Sequence, residues 1–165
     1  MTKIEDYFAR FAGGGELQWP SKQDDRDQLA SDLLGAEIVG SLDYWVNHAA
    51  DLLTNATPSA EGRRKNVAWE REMKIRRSLA RVPPEAQAAV IRLVAETASG
   101  CLFSALVAFD QCPGASIRVT AHDLETDAAL GSIVPGDIDL HDRLYEWIEK
   151  FSEHPHRYDP SSDAG

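Results

Sequence analysis

Residues 84–110 read PEAQAAVIRLVAETASGCLFSALVAFD, and this stretch decides the fold. Val82-Pro83-Pro84 ends what precedes it, because a residue ahead of proline is pushed out of the α region. Pro84 suits the first turn of a helix, where its missing N–H costs nothing. Glu85 then sits where the positive end of the helix dipole favours an acid. Ala86, Ala89, Val90, Leu93, Val94 and Thr97 recur at helical spacing, with Arg92 and Glu96 left to water. From Cys101 to Phe109 only Ser104 interrupts an apolar run. A helix apolar all round is buried all round, so this one is expected to cross the middle of the domain. Gly100 marks a kink or a close approach. The uncharged run from Thr97 to Phe109 falls short of the ~20 apolar residues of a membrane span.

Around this helix the chain divides by turn signals. Upstream, Thr2 with Glu5 forms a capping box for a short helix carrying Ile4, Tyr7, Phe8 and Phe11, ended by Gly13-Gly14-Gly15. No strand precedes those glycines and no GxxxxGK[ST] pattern follows, which excludes a phosphate loop. Leu17 and Trp19 pin the linker. A long helix is predicted from Ser21 or Asp24 to Thr54-Asn55. Its expected stripe is Leu29, Leu33, Ala36, Gly40, Tyr44, His48 and Leu52, widened by Leu34, Ile38, Trp45 and Leu53. Thr57-Pro58 starts another helix, running to about Arg81 with Ala68, Glu72, Ile75 and Leu79 on one face.

Downstream, Gln111-Cys112-Pro113-Gly114 is a turn. Residues 116–122 alternate, with Ile117, Val119 and Ala121 on the buried side. With Leu130 to Val134 they predict a two-stranded hairpin over 116–134. After Pro135-Gly136, Asp137 or Asp139 caps a last helix with the stripe Leu140, Leu144, Ile148 and Phe151. Residues 154–165 read as a mobile tail. The expected architecture is therefore a single, mainly α (α+β) domain over 1–153. About five helices surround a central buried helix, 84–110, with one hairpin before the last helix.

Of the 165 residues, 43% are hydrophobic, enough for one core. The first residues lack the basic and apolar pattern of a secretory signal, so a cytoplasmic location is expected. Cys101 and Cys112 are too few for a disulfide framework and are expected as free thiols, Cys101 inert in apolar surroundings. The net charge is −10. Such a surface repels nucleic acid and anionic membranes and suits a basic protein partner. The charge is segregated: residues 61–81 hold eight basic side chains against three acidic ones.

Residues 84–153 run through GCLFSALVAFDQ, a short hairpin and DIDLHDRLYEWIEKFS. This part resembles small uncharacterised bacterial proteins that pair an "lFs-l-xLD" helix with a "-LH-xxY-W" helix. Some such small acidic proteins look like the immunity partners of bacterial toxins.

Three sets of residues carry candidate chemistry. Asp123, Glu125, Asp127, Asp137 and Asp139, on the hairpin and its exit, would cover a basic cleft of a partner protein. His122, Asp123, His141 and Asp142 are the residue types for a transition metal or for acid–base work. Their spacing matches no metal signature, and aspartates are common turn and cap residues. Arg63, Arg64, Lys65, Lys74 and Arg77 would meet nucleic-acid phosphates, although Glu70 and Glu72 interrupt them. His154 and His156 lack a third ligand, and His48 reads as a core or boundary histidine. No HExxH, paired CxxC, EF-hand loop or GxSxG is present.

The leading expectation is a non-enzymatic, cofactor-free binding module of the immunity or antitoxin kind, which occludes a basic toxin's active site. A small metal-dependent enzyme and a DNA-binding regulator are the alternatives. The stripe of the long helix packs either inside the domain or against a second copy, as a homodimer.

Overall fold

The computed structural model describes residues 2–13, 16–56, 66–111, 119–133 and 139–158. Helix α1 spans Lys3–Ala9 and α2 spans Gln23–Thr54; between them lie two-residue strands β1 (Ala12–Gly13) and β2 (Glu16–Leu17). Then come α3 (Val67–Leu79), α4 (Pro84–Asp110), β3 (Thr120–His122), β4 (Ala129–Ser132), α5 (Leu140–Phe151) and a 3-10 turn at Pro155–Arg157. The mainly helical α+β class with a hairpin before the last helix is as expected.

The central element is α2, not α4. Helices α3, α4 and α5 and strand β4 all pack against α2. Its buried stripe is Leu29, Asp32, Ala36, Val39, Leu42, Val46 and Leu53. Leu29, Ala36 and Leu53 of the expected stripe are on it, but Gly40, His48 and Leu52 are only half-buried and the row through Tyr44 diverges from it. Tyr44 and Trp45 are 63% and 62% exposed. The true stripe contains an aspartate and runs beside Gly35, so it scores as less apolar than the aromatic ridge.

Helix α4 has the predicted bounds, opened by Pro84 at its first turn. Its burial is corrected: only Ala95, Ser99 and Leu106 are buried. Ile91, Ala98, Leu102 and Phe103 pack against the core from the same side. Leu93, Cys101 and Phe109 are exposed, because α2 and α5 cover one side of α4. Cys101 therefore lies in solvent contact, not in apolar surroundings; Cys112 is outside the described residues. Gly100 has nothing within 4 Å of where a Cβ would stand. A mid-helix glycine costs about 1 kcal/mol relative to alanine, and among the described residues no neighbour fills the space a side chain would take there.

Four aspartates of α2 tie down its neighbours. Asp27 Oδ1 accepts from the Ser132 N–H of β4 at 2.7 Å. Buried Asp32 accepts from Lys150 of α5 at 2.7 Å, from Gln28 at 3.1 Å, and from the Tyr7 hydroxyl of α1. Burial, with the Asp32 carboxylate beside it, pushes the Tyr7 phenol well above its ordinary range. Asp43 accepts from the Ser152 hydroxyl at 2.8 Å and from the Tyr158 hydroxyl at 2.6 Å. That bond and the burial of Tyr158 fold residues 154–158 back onto the domain. The expected mobile tail is corrected to this extent; residues 159–165 are outside the described residues. Asp51 receives Arg76 of α3.

Strands β3 and β4 pair antiparallel in the register Thr120↔Ser132 and Ala121↔Gly131, with an irregularity at His122. Val119 and Ala121 face the core as predicted. Gly131 lies against α2 so closely that a Cβ would stand 2.6 Å from the Arg26 carbonyl oxygen. Helix α5 buries Leu140, Leu144, Trp147, Ile148 and Phe151. The start predicted at Thr57-Pro58 and the residues 116–118, 134 and 135–136 of the hairpin flanks are outside the described residues.

Candidate functional site

The hairpin tip, 123–128, is a built turn. Asp123 Oδ1 accepts from the Thr126 N–H and hydroxyl at 2.8 Å each and from the Glu125 N–H at 3.0 Å. The Asp127 N–H donates to the Asp123 carbonyl at 2.9 Å. Asp127 has φ 56, a left-handed conformation that aspartate tolerates better than most residues. His122 Nδ1 lies 2.9 Å from the Asp127 carbonyl oxygen, which ties the strand to the far side of the turn. Hydrogen bonds from Thr126, then Glu125, hold the Asp123 carboxyl below the usual carboxylate range. Asp123 is therefore a turn-forming residue, whose carboxylate is taken up inside the loop. Glu125 and Asp127 project from it, and Leu124, between Asp123 and Glu125, is fully exposed.

Asp139 stands apart from the tip, at the start of α5, and Asp137 is outside the described residues. The four residues of the metal alternative divide. The ligand atoms that come together, all within 4.8 Å, belong to Asp139, His141 and Asp142; His122 and Asp123 are not among them. His141 Nε2 is 3.6 Å from Asp142, and its Nδ1 is 2.7 Å from Asp110 Oδ2.

Asp110 is the residue the sequence reading missed. It ends α4, yet it accepts from the Leu140 N–H at 3.0 Å and the His141 N–H at 2.9 Å. Asp139 makes no side-chain cap bond. Asp110 thus caps α5 from another helix. A carboxylate is poorly placed at the negative end of α4 and well placed at the positive end of α5. An acid at a helix C-terminus was the available signal. Burial pushes the Asp110 carboxyl up, but the bonds from His141 and Leu140 outweigh it and hold it low. The Asp110 bond likewise raises His141. The same positive helix end disfavours a cation, so the cluster reads first as a clamp joining α4 to α5.

The signs give a pH test. A lowered carboxyl contributes stability above about pH 4 that is lost in acid; a raised histidine contributes below about pH 6.5 and loses it at higher pH. Asp110→Ala is therefore expected to destabilise by about 1–2 kcal/mol near pH 5 and by less at pH 8, read by urea unfolding. An equal loss at both pH values would remove His141 from the clamp.

The basic helix is also divided. Arg76 is buried and spent inside the fold, while Lys74 and Arg77 are exposed on α3. Arg63, Arg64 and Lys65 are outside the described residues. Ile75, expected on the inner face, is 49% exposed; Arg76 takes its place.

A third surface was read as core. Tyr44 stacks on His48 with ring centroids 6.3 Å apart, and Trp45 meets both edge-on. These rings stand on the outer ridge of α2. Shallow depressions flank the ridge, one reaching Ile4 of α1 and the other Leu102 of α4.

Searches against protein families, curated proteins and solved structures find no match.

Proposed function

We propose that this chain is a protein-binding module whose hairpin tip enters a basic site on a partner, in the manner of an immunity or antitoxin protein. The observation that carries this reading is Leu124, wholly exposed on a turn braced from inside by Asp123 and followed by the outward carboxylates of Glu125 and Asp127. An apolar side chain held in water at a fixed tip gains most from a pocket on a partner. The carboxylates of Glu125 and Asp127 beside it steer a basic surface toward it and speed the encounter at low salt. The net charge of −10 adds a long-range term of the same sign. The partner would be a basic protein whose active site the tip fills, in a cytoplasmic setting.

The test is capture of the partner by tagged protein expressed at native level in its source cell. One basic, stoichiometric chain is expected, with an association rate that falls as salt rises. Glu125→Lys with Asp127→Asn, which respects the left-handed backbone at 127, is expected to slow association at least tenfold at low salt. Leu124→Ala is expected to act on dissociation. Asp123 is unsuitable for this purpose, since its loss unmakes the turn. A partner bound equally well by the triple variant, or an association rate indifferent to salt, overturns the proposal.

A further inference from the structure

Between Asp27 and Thr54, α2 carries five carboxylates and no lysine or arginine. Asp27, Asp32, Asp43 and Asp51 each bind a neighbouring element. Glu37 is the fifth. It is exposed, and among the described residues no hydrogen bond or ion pair takes it up. Strand β4 covers the start of this outer side of α2, where Gly131 meets Arg26 and Ala30. Farther along, Glu37, Ser41, Tyr44 and Trp45 are all exposed. Glu37, Ser41 and Trp45 line both of the shallow depressions there and divide them. Tyr44 and Ile4 lie in the one beside α1; Ile38, Leu42 and Leu102 complete the one beside α4. The rings are held in place, with Tyr44 and Trp45 centroids 5.2 Å apart and His48 stacked on Tyr44.

The depression beside α4 is a trough with an apolar floor, an indole at one end and an unpaired carboxylate at the other. Glu37 and Trp45 are about 12 Å apart in helix rise. This is the complement of a side chain with an apolar stem and a cationic head. Such a stem lies along apolar surface while its head reaches out. Arginine fits better than lysine, because its planar fork binds a carboxylate through two parallel N–H bonds and sheds water more easily. An exposed tryptophan beside it is the residue type that anchors protein interfaces. The same residues oppose other occupants. Two copies of the chain meeting here bring Glu37 carboxylates together, with no lysine or arginine of the strip to answer them. Bases could stack on the rings, but phosphates would meet Glu37 and a chain of −10. A lipid surface would bury Glu37 unpaired.

We infer that the outer face of α2 from Glu37 to Trp45 docks an arginine-bearing segment of a partner protein. The arginine stem lies in the trough against Trp45, Ile38 and Leu102, and its guanidinium pairs with Glu37. This surface shares no residue with the hairpin tip, and the inference holds or fails independently of the tip's role.

Titration of the full chain with acetyl-arginyl-arginine amide, followed by NMR, tests it. A probe this short is expected to bind with a Kd of about 1 mM. The Trp45 indole N–H and the Ser41 amide are expected to shift, while the indole of Trp147, 1% exposed, stays in place. Glu37→Lys is expected to weaken binding about tenfold, as reversal of a surface ion pair does. Trp45→Ala, at a side chain 62% exposed and so without a folding role, is expected to weaken it about fivefold, read at Ser41. Glu125→Lys, at the hairpin tip, is expected to leave it unchanged. The citrulline analogue of the probe, which keeps the shape and lacks the charge, is expected not to bind. No shift at Trp45 up to about 20 mM probe overturns the inference. Equal binding by the citrulline analogue, or binding indifferent to Glu37→Lys, overturns it as well. A Trp45 shift produced by concentrating the protein alone overturns it in favour of a second copy. One produced by oligothymidylate or by phosphatidylcholine vesicles, and not by the arginine probe, overturns it in favour of nucleic acid or of a lipid surface.

Discussion

Gly35→Ala is expected to destabilise the protein by about 3 kcal/mol, the upper end of ordinary overpacking. On most exposed helix positions the same change would gain about 1 kcal/mol from helix propensity, so the sign itself is informative. At position 35 a Cβ would stand 2.4 Å from Cγ and Cδ1 of Trp147. Those are atoms of a rigid ring that is 1% exposed, so no flexible tip can swing aside. Nor can α5 back away from α2. Lys150 is bound to Asp32 at 2.7 Å on one side, and Ser152 to Asp43 at 2.8 Å on the other. The indole N–H finds no acceptor among the described residues, so shape alone holds the ring. In a chain of this length the loss corresponds to a fall in Tm of roughly 10 °C. Trp147→Ala removes the three atoms that a Cβ at 35 would strike, so Gly35→Ala is expected to cost at least about 1 kcal/mol less in that background than in the wild type. A Gly35→Ala protein more stable than the wild type would show that α2 and α5 are not packed ring against backbone.

This contact also explains how far the sequence could be read. Element types and the bounds of α4 followed from Pro84, the turn residues and helical periodicity. The stripe of α5 came out correctly because Leu140, Leu144, Ile148 and Phe151 are apolar and regularly spaced. The stripe of α2 came out only in part, with Leu29, Ala36 and Leu53 buried as expected, because its inner face spends positions on Gly35 and Asp32. A periodicity count treats a glycine as weak and an aspartate as wet. Here the glycine makes room for Trp147, and the aspartate is buried under Tyr7 and Lys150. The exposed Tyr44 and Trp45 then drew the reading to the wrong side. The error on α4 is of another kind. An all-apolar composition states what a helix can bury, not how many neighbours it has.

The candidate site shows the same division. The acidic tip was visible as a run of aspartate and glutamate between two strands. Which carboxylate serves the turn and which faces out depends on hydrogen bonds between residues two to five apart in a loop of irregular backbone, and composition is silent on that. Asp110 and His141 are 31 residues apart. Only the return of the chain through the hairpin brings the end of α4 to the start of α5.

Arg76→Met is expected to cost about 3 kcal/mol, with unfolding by urea as the measure. Arg76 lies 1% exposed under the end of α2. It donates from Nη1 to the carbonyls of Asp51 and Asn55 at 2.8 Å each. From Nη2 it meets the carboxylates of Asp51 at 2.5 Å and Glu72 at 2.7 Å. The carbonyls at a helix C-terminus have no partner within the helix, and a cation there also answers the dipole. Methionine fills the volume but donates nothing. The figure sits at the low end for a broken buried pair because Asp51 is half exposed and regains water. Arg76→Lys is expected to recover less than half of the loss, since one ammonium cannot span acceptors on two helices as a guanidinium fork does. The pairing leaves a pH signature. The bond from Arg76 holds the Asp51 carboxyl below its ordinary value, so this part of the stability is present above about pH 4 and fades as acid protonates it. Arg76→Met should therefore show a shallower loss of stability between pH 5 and pH 2 than the wild type. The outcome also bears on the basic helix as a phosphate-binding surface. An arginine committed to the end of α2 has no donors left for phosphate, which leaves Lys74 and Arg77 as the outward cations from that set among the described residues. A variant as stable as the wild type would return Arg76 to the surface and strengthen the nucleic-acid alternative at the expense of the acidic tip.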